Sequence, residues 1–352
     1  MKRKCNLRFE MLPAREGDCI LISYPNGDRT VRILFDGGRR GTWSALLRRL
    51  QSERNALIDL LVVTHVDRDH IEGVLELLKS PERPQIKEIW FNGYRQLEEA
   101  LGLRGASQGE RLSDLIRELS IPHNAAFGGR PVISGRLKSA ELPGGMVVEV
   151  LSPDVSKLRK LERQWVLECR RAGLLPGGGD LRQRGGYTER RIGKLDIDRL
   201  SAMPFDPDDA AANGSSIAVL LKWRGRSILM AADAHEDQIL RSLKRIQSGK
   251  EKIQLDLLKV SHHASGRNTS SDLFDQVICN DFAVSTNGAV HGHPDAVALA
   301  RIIKASPHCT IHCNYSSSRV KPWLAPALRA KHKYEVQTGT DGYLSVELAP
   351  RE

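Results

Sequence analysis

The sequence predicts an α/β protein built around buried strands. Residues 58–64 form a short, β-branched and fully apolar run, which is typical of a strand covered on both faces. Directly after it, from Asp69 to about Leu78, apolar residues recur at helical spacing. Strands and helices then keep alternating along most of the chain, and this alternation favours layered α/β packing.

The first half of the chain opens with two segments, 6–10 and 18–24, whose residues alternate or run apolar. Asn26-Gly27 then predicts a hairpin turn into a return strand at 31–35. Further on we predict helices over 42–54 and 108–119, and strands over 86–91, near 131–138 and over 146–151.

Residues 154–213 interrupt this rhythm. They start with a basic, helix-like stretch at 155–173 and continue through a Pro-Gly-Gly-Gly turn into an acidic, turn-rich end. We interpret them as an insertion in one domain, between a first half at 1–153 and a second half at 214–352. Long irregular segments in compact domains are usually functional or mobile, so this is where we expect a lid or a regulatory element.

The alternation resumes after the insertion. We predict strands over 215–223, 226–232, 255–260, 281–285, 309–315 and 343–348, and helices over 235–247, 271–277 and 295–305.

The charge balance favours a polyanionic partner. The chain has 53 Lys and Arg against 43 Asp and Glu, a formal net charge of +10. Residues 157–194 alone hold eleven basic against four acidic side chains. A second basic set comprises Arg319, Lys321, Arg329, Lys331 and Lys333. The alternative is that both sets are ordinary solvated surface.

The cysteines and the hydropathy pattern predict a cytoplasmic protein. Six cysteines are scattered without a Cys-x-x-Cys pair, which is typical of reduced thiols. No window of 18 apolar residues is present, so no membrane span is expected. The basic N-terminus is not followed by an apolar segment, so no secretory signal is expected either.

The strongest functional motif is THVDRDH at 64–70, where a buried strand ends and a helix begins. Four side chains able to bind a metal, those of His65, Asp67, Asp69 and His70, fall within six residues. Charged groups are rarely buried unpaired, because desolvation is costly. The alternative is a surface loop in which Asp69 caps the helix.

Three further clusters follow predicted strands. Asp233 ends an apolar run, His262 and His263 end another, and His293 precedes a proline at a helix start. Loops at the carboxyl ends of parallel strands are where α/β proteins place their sites. Together the clusters predict one shared metal site, and their His and carboxylate ligands suit zinc, manganese or iron.

The ordered pattern THxDxDH, a strand-end Asp, HHxS and HP resembles the metallo-β-lactamase superfamily, in particular the branch that contains the hydrolase domain of ComEC. The segments 17–22, 35–38 and 213–217 match the same branch, and the resemblance covers 6–153 and 213–348. It implies a four-layer αββα sandwich with an insertion in the middle of the chain.

The resemblance also implies roles for individual residues around two divalent cations, zinc or manganese. The first cation is assigned to His65 and Asp67, the second to Asp69, His70 and His263, and Asp233 bridges the two. Asp69, His262 and His293 form the catalytic group. His262, His293, Asn287 and Ser265 are the expected substrate contacts.

Two departures from the superfamily pattern concern the first cation. Asp67 stands where most members have a second histidine, a change that the ComEC-like branch shares and that raises the case for manganese. No clear histidine fills the further ligand position before Asp233. His123 is the only candidate between His70 and His235, and nothing around it recommends it.

The resemblance implies a metal-dependent hydrolase. The leading hypothesis is a phosphodiesterase or nuclease that cleaves DNA or RNA with little sequence specificity, and an aromatic content of only 5% argues against extensive base stacking. One alternative is hydrolysis of a small phosphodiester or ester, with the insertion as a lid. Another is a non-catalytic module that binds a protein partner.

Partners are inferred by analogy. Similar stand-alone domains resemble components of bacterial stress operons or of bacterial defence systems, including antiviral ones, in which a regulatory protein partner controls a toxic nuclease. Nucleic acid is therefore the expected partner, a regulatory protein is a further one, and the state of oligomerisation stays open.

Overall fold

The computed structural model describes residues 6–51, 56–93, 107–137, 139–171, 195–247 and 251–351. The strands are β1 (Leu7–Met11), β2 (Ile20–Asn26), β3 (Arg29–Phe35), β4 (Leu57–Ile58), β5 (Leu60–Val62), β6 (Gln85–Ile86), β7 (Ile89–Trp90), β8 (Ala140–Leu142), β9 (Met146–Ser152), β10 (Ala218–Trp223), β11 (Arg226–Met230), β12 (Ile253–Gln254), β13 (Leu257–Lys259), β14 (Val277–Ile278), β15 (Asp281–Val284), β16 (Thr310–Cys313), β17 (Glu335–Thr338) and β18 (Leu344–Leu348).

The α-helices among these residues are α1 (Trp43–Gln51), α2 (Arg68–Lys79), α3 (Ser107–Glu118), α4 (Val155–Arg171), α5 (Ile197–Ser201), α6 (Ala211–Gly214), α7 (Glu236–Ile246), α8 (Ala296–Ala305) and α9 (Pro326–His332).

The strands form two large mixed sheets. The first has the order β18-β1-β2-β3-β5-β7, antiparallel up to β3 and parallel beyond it. The second has the order β17-β16-β15-β13-β11-β10-β9-β8, parallel from β17 to β11 and antiparallel from there to β8. Two short pairs, β4 with β6 and β12 with β14, accompany them.

Alternating side chains along the strands create three apolar layers. Ile22 on β2 and Val219 on β10 belong to the core between the two sheets, together with Trp90 and Trp223. Their neighbours along the strands point the opposite way, because successive strand residues face opposite sides of a sheet. Burial of each such large apolar side chain contributes about 1.5–3 kcal/mol to folding.

Helices cover the outward faces. Leu46 of α1, Ile71 of α2 and Leu112 of α3 pack on the first sheet. Ile239 of α7 and Leu299 of α8 pack on the second sheet. The order of layers is therefore helix, sheet, sheet, helix, and the predicted four-layer αββα sandwich is confirmed.

The described ends of the predicted insertion pack into both halves of the sandwich. Leu158 and Leu161 of α4 join the core of the first sheet. Ile197 of α5 is fully buried in the core of the second. Residues 172–194, which hold much of the basic stretch, lie outside the described residues.

Two sequence predictions about local structure are wrong. Where we expected a strand, residues 131–133 are irregular, residues 134–136 form a turn and residue 137 is a bend. Pro131 has no backbone N–H to donate and Gly135 adopts a φ of +78°, so a regular ladder is not possible there. The helix expected over 271–277 is only a 3-10 turn at Asp272–Asp275, followed by β14. Residues 52–55 of the first predicted helix lie outside the described residues.

No helix in the described part of the chain is both long and apolar enough to cross a membrane. Cys19, Cys279, Cys309 and Cys313 are buried free thiols, and burial raises the pKa of Cys279 to about 12. Cys5 and Cys169 belong to the parts of the chain that are not described at the side-chain level.

Candidate metal centre

The strands β5, β11, β13 and β15 end at the same edge of the sandwich, and their connecting loops carry the predicted site residues. β5 leads to His65 and to the start of α2, β11 leads to Asp233, and β13 leads to His262 and His263. Because parallel strands present their carboxyl ends together, these side chains meet.

Asp233 lies at the middle of the group and is buried. Its Oδ2 atom faces the Nε2 atoms of four histidines: His70 at 3.4 Å, His262 and His263 at 3.7 Å, and His65 at 3.9 Å. One carboxylate oxygen that faces four ring nitrogens is typical of a group of side chains able to bind a cation together.

Asp69 and Asp67 add two further carboxylates. Oδ2 of Asp69 lies 3.5 Å from Nε2 of His263 and 3.8 Å from Nε2 of His70. Ligand atoms of Asp69, His70 and His263 all lie within 4.8 Å of one another, as do those of His65, His70 and Asp233. Oδ2 of Asp67 lies 3.7 Å from Nε2 of His65.

Four buried polar atoms of this group have no hydrogen-bond partner: Nε2 of His65, His70 and His263, and Oδ1 of Asp233. A buried polar atom left unpaired costs about 1–3 kcal/mol, so a cluster of four needs a physical reason. Two ligands that bind one zinc-like cation tetrahedrally at about 2.1 Å are about 3.4 Å apart. The separations around Asp233 fit such a cation, and so does the donor set of imidazoles and carboxylates.

The opposite ring nitrogens of these histidines are held in place. Nδ1 of His70 donates to Oδ2 of Asp36 at 2.8 Å, and Nδ1 of His263 donates to the Ser285 carbonyl at 2.7 Å. Thr64 Oγ1 donates to Asp36 at 2.7 Å and accepts from Nδ1 of His65 at 2.9 Å. Such partners hold each ring so that its Nε2 atom is aimed at the centre, as in known metal sites.

The helix-capping alternative for the 64–70 motif is wrong. α2 begins at Arg68, which places Asp69 in the first turn and Asp67 at the N-cap position. The Asp67 side chain makes no capping hydrogen bond.

A glycine lets a second loop approach α2 closely. A Cβ atom on Gly17 would lie 1.6 Å from the carbonyl oxygen of Asp69. Only glycine fits at this position, and its contact seats the loop of residues 13–18 beside the metal centre.

Sequence reasoning missed the partner of Asp18. The Nζ atom of Lys259 is completely buried and donates to Oδ2 of Asp18 at 2.7 Å and to the Val260 carbonyl at 3.1 Å. Oδ1 of Asp18 lies 3.6 Å from Nδ1 of His263. The only signal in the sequence was a single lysine near the end of an apolar strand.

Sequence reasoning also missed Asp208, which belongs to the insertion. Its Oδ2 atom lies 3.6 Å from Nδ1 of His262 and accepts from the side-chain amides of Asn213 at 2.7 Å and Asn268 at 3.1 Å. Asn268 Oδ1 in turn accepts from Nδ1 of His262 at 3.0 Å. The insertion therefore reaches the metal centre through its last residues.

Neighbouring charges set the ionisation of the group. Burial opposes the charged form of His262, but Asp233 and Asp208 outweigh it and raise the pKa of His262 to about 9. Burial likewise opposes ionisation of Asp233, yet the surrounding histidines, His70 first, hold its pKa well below the usual range. Burial lowers the pKa of His293, and nearby His262 lowers it further.

The other predicted substrate residues lie nearby in different settings. The ring of His293 is 5.1 Å from the ring of His262. Asn287 Oδ1 accepts from the Ala289 N–H at 3.0 Å, and Ser265 Oγ accepts from the Arg267 N–H at 3.2 Å, so both side chains brace their own loops. Their contact with a substrate stays a prediction.

His123 does not join the group. Its Nε2 atom bonds to the Phe91 carbonyl at 2.9 Å, and its ring stacks on that of Phe91. Within the described residues, no cluster of metal-capable side chains includes it. The further ligand that the sequence lacks for the first cation is therefore not supplied by this histidine.

No family model matches the chain, and no curated protein matches its sequence. Solved structures resemble it at low identity. CmlA, a diiron β-hydroxylase from Streptomyces venezuelae, has a TM-score of 0.40 and 11% identity over 99% of this chain and 55% of its own. The chain thus spans about half the length of that hydroxylase.

Two further structures are similar over most of both chains. YhfI, a metallo-β-lactamase-fold protein from Bacillus subtilis, has a TM-score of 0.45 and 11% identity, and the match covers 97% of this chain and 100% of YhfI. The metallo-β-lactamase MIM-1 from Novosphingobium pentaromativorans has a TM-score of 0.32 and 13% identity over 83% and 85% of the two chains. These likenesses concern overall shape and assign no activity.

Proposed function

We propose that this chain is a metal-dependent hydrolase of phosphodiesters and that nucleic acid is its substrate. The observation that carries the proposal is the set of unpaired, buried Nε2 atoms of His65, His70 and His263 around Asp233. The Nδ1 atom of each of these histidines is fixed by a hydrogen bond, so that its Nε2 atom is positioned to bind a cation.

The residues divide into two overlapping ligand sets. Asp69, His70 and His263 would hold one cation, and His65 with Asp67 would hold the other, with Asp233 within reach of both. Divalent cations there would supply Lewis-acid chemistry, which lowers the pKa of water and offsets charge on a phosphoryl oxygen.

His262 is the side chain best placed to act on the substrate. Its ring is held by Asn268 and Asp208, its Nε2 points towards Asp233, and 22% of the side chain is exposed. A protonated imidazole in this position donates a hydrogen bond to a phosphate oxygen or a proton to the leaving oxygen. The ring of His293 lies 5.1 Å from that of His262.

A nucleic-acid substrate is supported by the charge of the protein. The formal net charge is +10, and a phosphodiester backbone is the polyanion that such a surface attracts. The ordered motifs that resemble the ComEC-like branch support the same substrate class.

The test combines metal analysis with a nuclease assay. Wild-type protein is expected to bind a divalent cation and to degrade plasmid and single-stranded DNA with manganese or zinc. Asp69→Ala and His70→Ala are expected to lose at least 100-fold in rate. Asp275→Ala, whose side chain is 77% exposed on a turn of the second half, serves as the matched control.

Three outcomes separate the alternatives. Cleavage of a small chromogenic diester but not of DNA would favour the small-molecule enzyme. If the protein binds no metal, and if added metal does not stabilise it, the chain is a non-catalytic module. If the two site variants cleave DNA as fast as the wild type, the proposed centre is wrong.

A further inference from the structure

Two arginines without an ionic partner, Arg15 and Arg319, lie on loops that contact the loop carrying His291 and His293. Arg15 is exposed and Arg319 is half-buried. Among the described residues, neither guanidinium makes a hydrogen bond or an ion pair. The loops that hold Arg15 and Arg319 contact the loop of residues 285–295, and the Arg15 loop also contacts the metal centre.

Arg319 lies across the loop between β15 and α8. A Cβ atom on Gly292 would lie 2.9 Å from Nη2 of Arg319, and one on Gly288 would lie 3.5 Å from its Cγ. The guanidinium thus rests against the residue before His293, and the aliphatic stem rests against Gly288. The missing side chains of the two glycines make room for this arrangement.

The backbone of Arg15 contacts the other side of the same loop, and its guanidinium extends towards Gly41, where an added Cβ atom would lie 3.9 Å from Nη2. Its carbonyl accepts from the Asn287 N–H at 2.8 Å, and its own N–H donates to the Tyr315 hydroxyl at 3.0 Å. Through Gly17, the Arg15 loop also touches the Asp69 backbone. The three loops that hold Arg15, Asn287 and Tyr315 therefore form one continuous rim beside the metal centre.

The acidic groups of this rim already have partners. Glu16 pairs with Arg39 at 2.9 Å, and Asp18 pairs with Lys259 at 2.7 Å. Asp295 accepts from the Gly266 N–H at 2.8 Å and lies 3.3 Å from Nδ1 of His293. The charges of Arg15 and Arg319 are consequently left over for a ligand.

The topology divides the second basic set of the sequence. Arg319 follows β16 at the edge where the parallel strands end. Lys333 precedes β17, which runs parallel to β16, so this lysine lies at the opposite edge. Arg329 pairs with Glu335. Of these three residues, Arg319 is the one at the edge that carries the metal centre.

We infer that Arg15 and Arg319 bind phosphates of a nucleic-acid strand on either side of the one being cleaved. The inference rests on the proposed function and adds to it a direction for the strand, along the rim formed by the loops of Arg15, His293 and Arg319. A guanidinium binds phosphate oxygens in bidentate fashion and is fully charged at neutral pH, so it suits this role. A small diester, which has no flanking phosphate, does not need either arginine.

The first arm of the test is DNA binding in an Asp69→Ala background, measured by fluorescence anisotropy of a labelled single-stranded oligonucleotide. Arg15→Ala plus Arg319→Ala is expected to weaken binding about tenfold and to reduce the slope of affinity against salt. Replacing both by lysine is expected to restore most of the affinity. Lys79→Ala, at the far end of the twelve-residue α2 and about 16 Å from its start, is the matched control.

The second arm is catalysis in the otherwise wild-type protein. The double alanine variant is expected to raise KM for the oligonucleotide about tenfold with little change in kcat, and to hydrolyse bis(p-nitrophenyl) phosphate normally. The inference is overturned if the double variant binds DNA as the Lys79→Ala control does, if it loses both substrates equally, or if the chain binds no DNA. If the chain binds DNA through the two arginines but hydrolyses nothing, their role in binding is supported and the proposed function is overturned.

Discussion

Asp208 Oδ2 lies 3.6 Å from Nδ1 of His262, although Asp208 belongs to the segment that interrupts the α/β pattern of the sequence. The same oxygen accepts from the amides of Asn213 and Asn268. The end of the insertion thus reaches the candidate metal centre, and it orients His262, the histidine that we propose to face the substrate.

Asp208→Asn is expected to lower kcat about 10- to 100-fold while KM and bound metal change little. The variant keeps the size of the side chain but loses the charge that orients His262, and loss of such supporting groups has effects of this size. Steady-state kinetics and metal analysis measure both quantities. Asp209→Asn is the control, because that neighbouring side chain is 84% exposed. Equal kinetics for the two variants would remove Asp208 from the mechanism.

Lys259→Met is expected to destabilise the protein by about 3–5 kcal/mol, because it leaves the carboxylate of Asp18 buried without its cation. Asp18→Asn combined with Lys259→Met is expected to regain much of that loss. Denaturant unfolding measures the difference. The exposed pair of Lys304 and Asp198 supplies the control, and Lys304→Met is expected to leave the stability nearly unchanged. A double variant as unstable as the single one would show that the charge pairing is not the cause.

Glu236 predicts a pH dependence of stability. Its carboxyl group is 4% exposed, and burial raises its pKa to about 7, against the hydrogen bonds that it accepts from Ser270. Between its ordinary pKa of 4.5 and about 7, the folded state holds a proton that the unfolded state has lost, so this group makes stability fall as pH rises.

Glu236→Gln stays neutral at every pH and is expected to remove that fall. The variant should gain about 1–3 kcal/mol over the wild type between pH 4.5 and pH 8, since each pKa unit corresponds to about 1.4 kcal/mol. Unfolding free energies measured across this range test the prediction. A difference between the two proteins that does not vary with pH would contradict it.

Chelation is expected to lower the unfolding temperature of the metal-loaded protein. A cation that binds only the folded state at 100 times its dissociation constant adds about 2.7 kcal/mol of stability. His263→Ala is expected to abolish most of this metal-dependent gain, because His263 faces both Asp69 and Asp233. His332→Ala, on the surface helix α9, is the control. An equal gain in all three proteins would place the bound cation elsewhere.

Local patterns were enough to predict much of the fold. The Asn26-Gly27 turn between β2 and β3, the amphipathic α2 and the buried β5 each follow from residues that are neighbours in the chain. The strand expected near 131–138 failed for a nonlocal reason as well as for the local effects of Pro131 and Gly135. The side-chain amide of Asn92 accepts from the Val132 N–H at 2.7 Å and donates to its carbonyl at 2.8 Å. These two hydrogen bonds satisfy the buried backbone of Val132 without a neighbouring strand.

The sequence by itself determined the ligand types of the candidate centre and the strand ends that carry them, because a hydrophobic strand followed by His or Asp is a local pattern. Only the tertiary structure decided which distant groups meet there: Lys259 with Asp18, Asp208 with His262, and Arg319 with the loop of His293. Each pairing depends on how loops from separate strands come together at one edge of the sandwich. That geometry is set by the packing of both sheets and is not encoded in the spacing of any single segment.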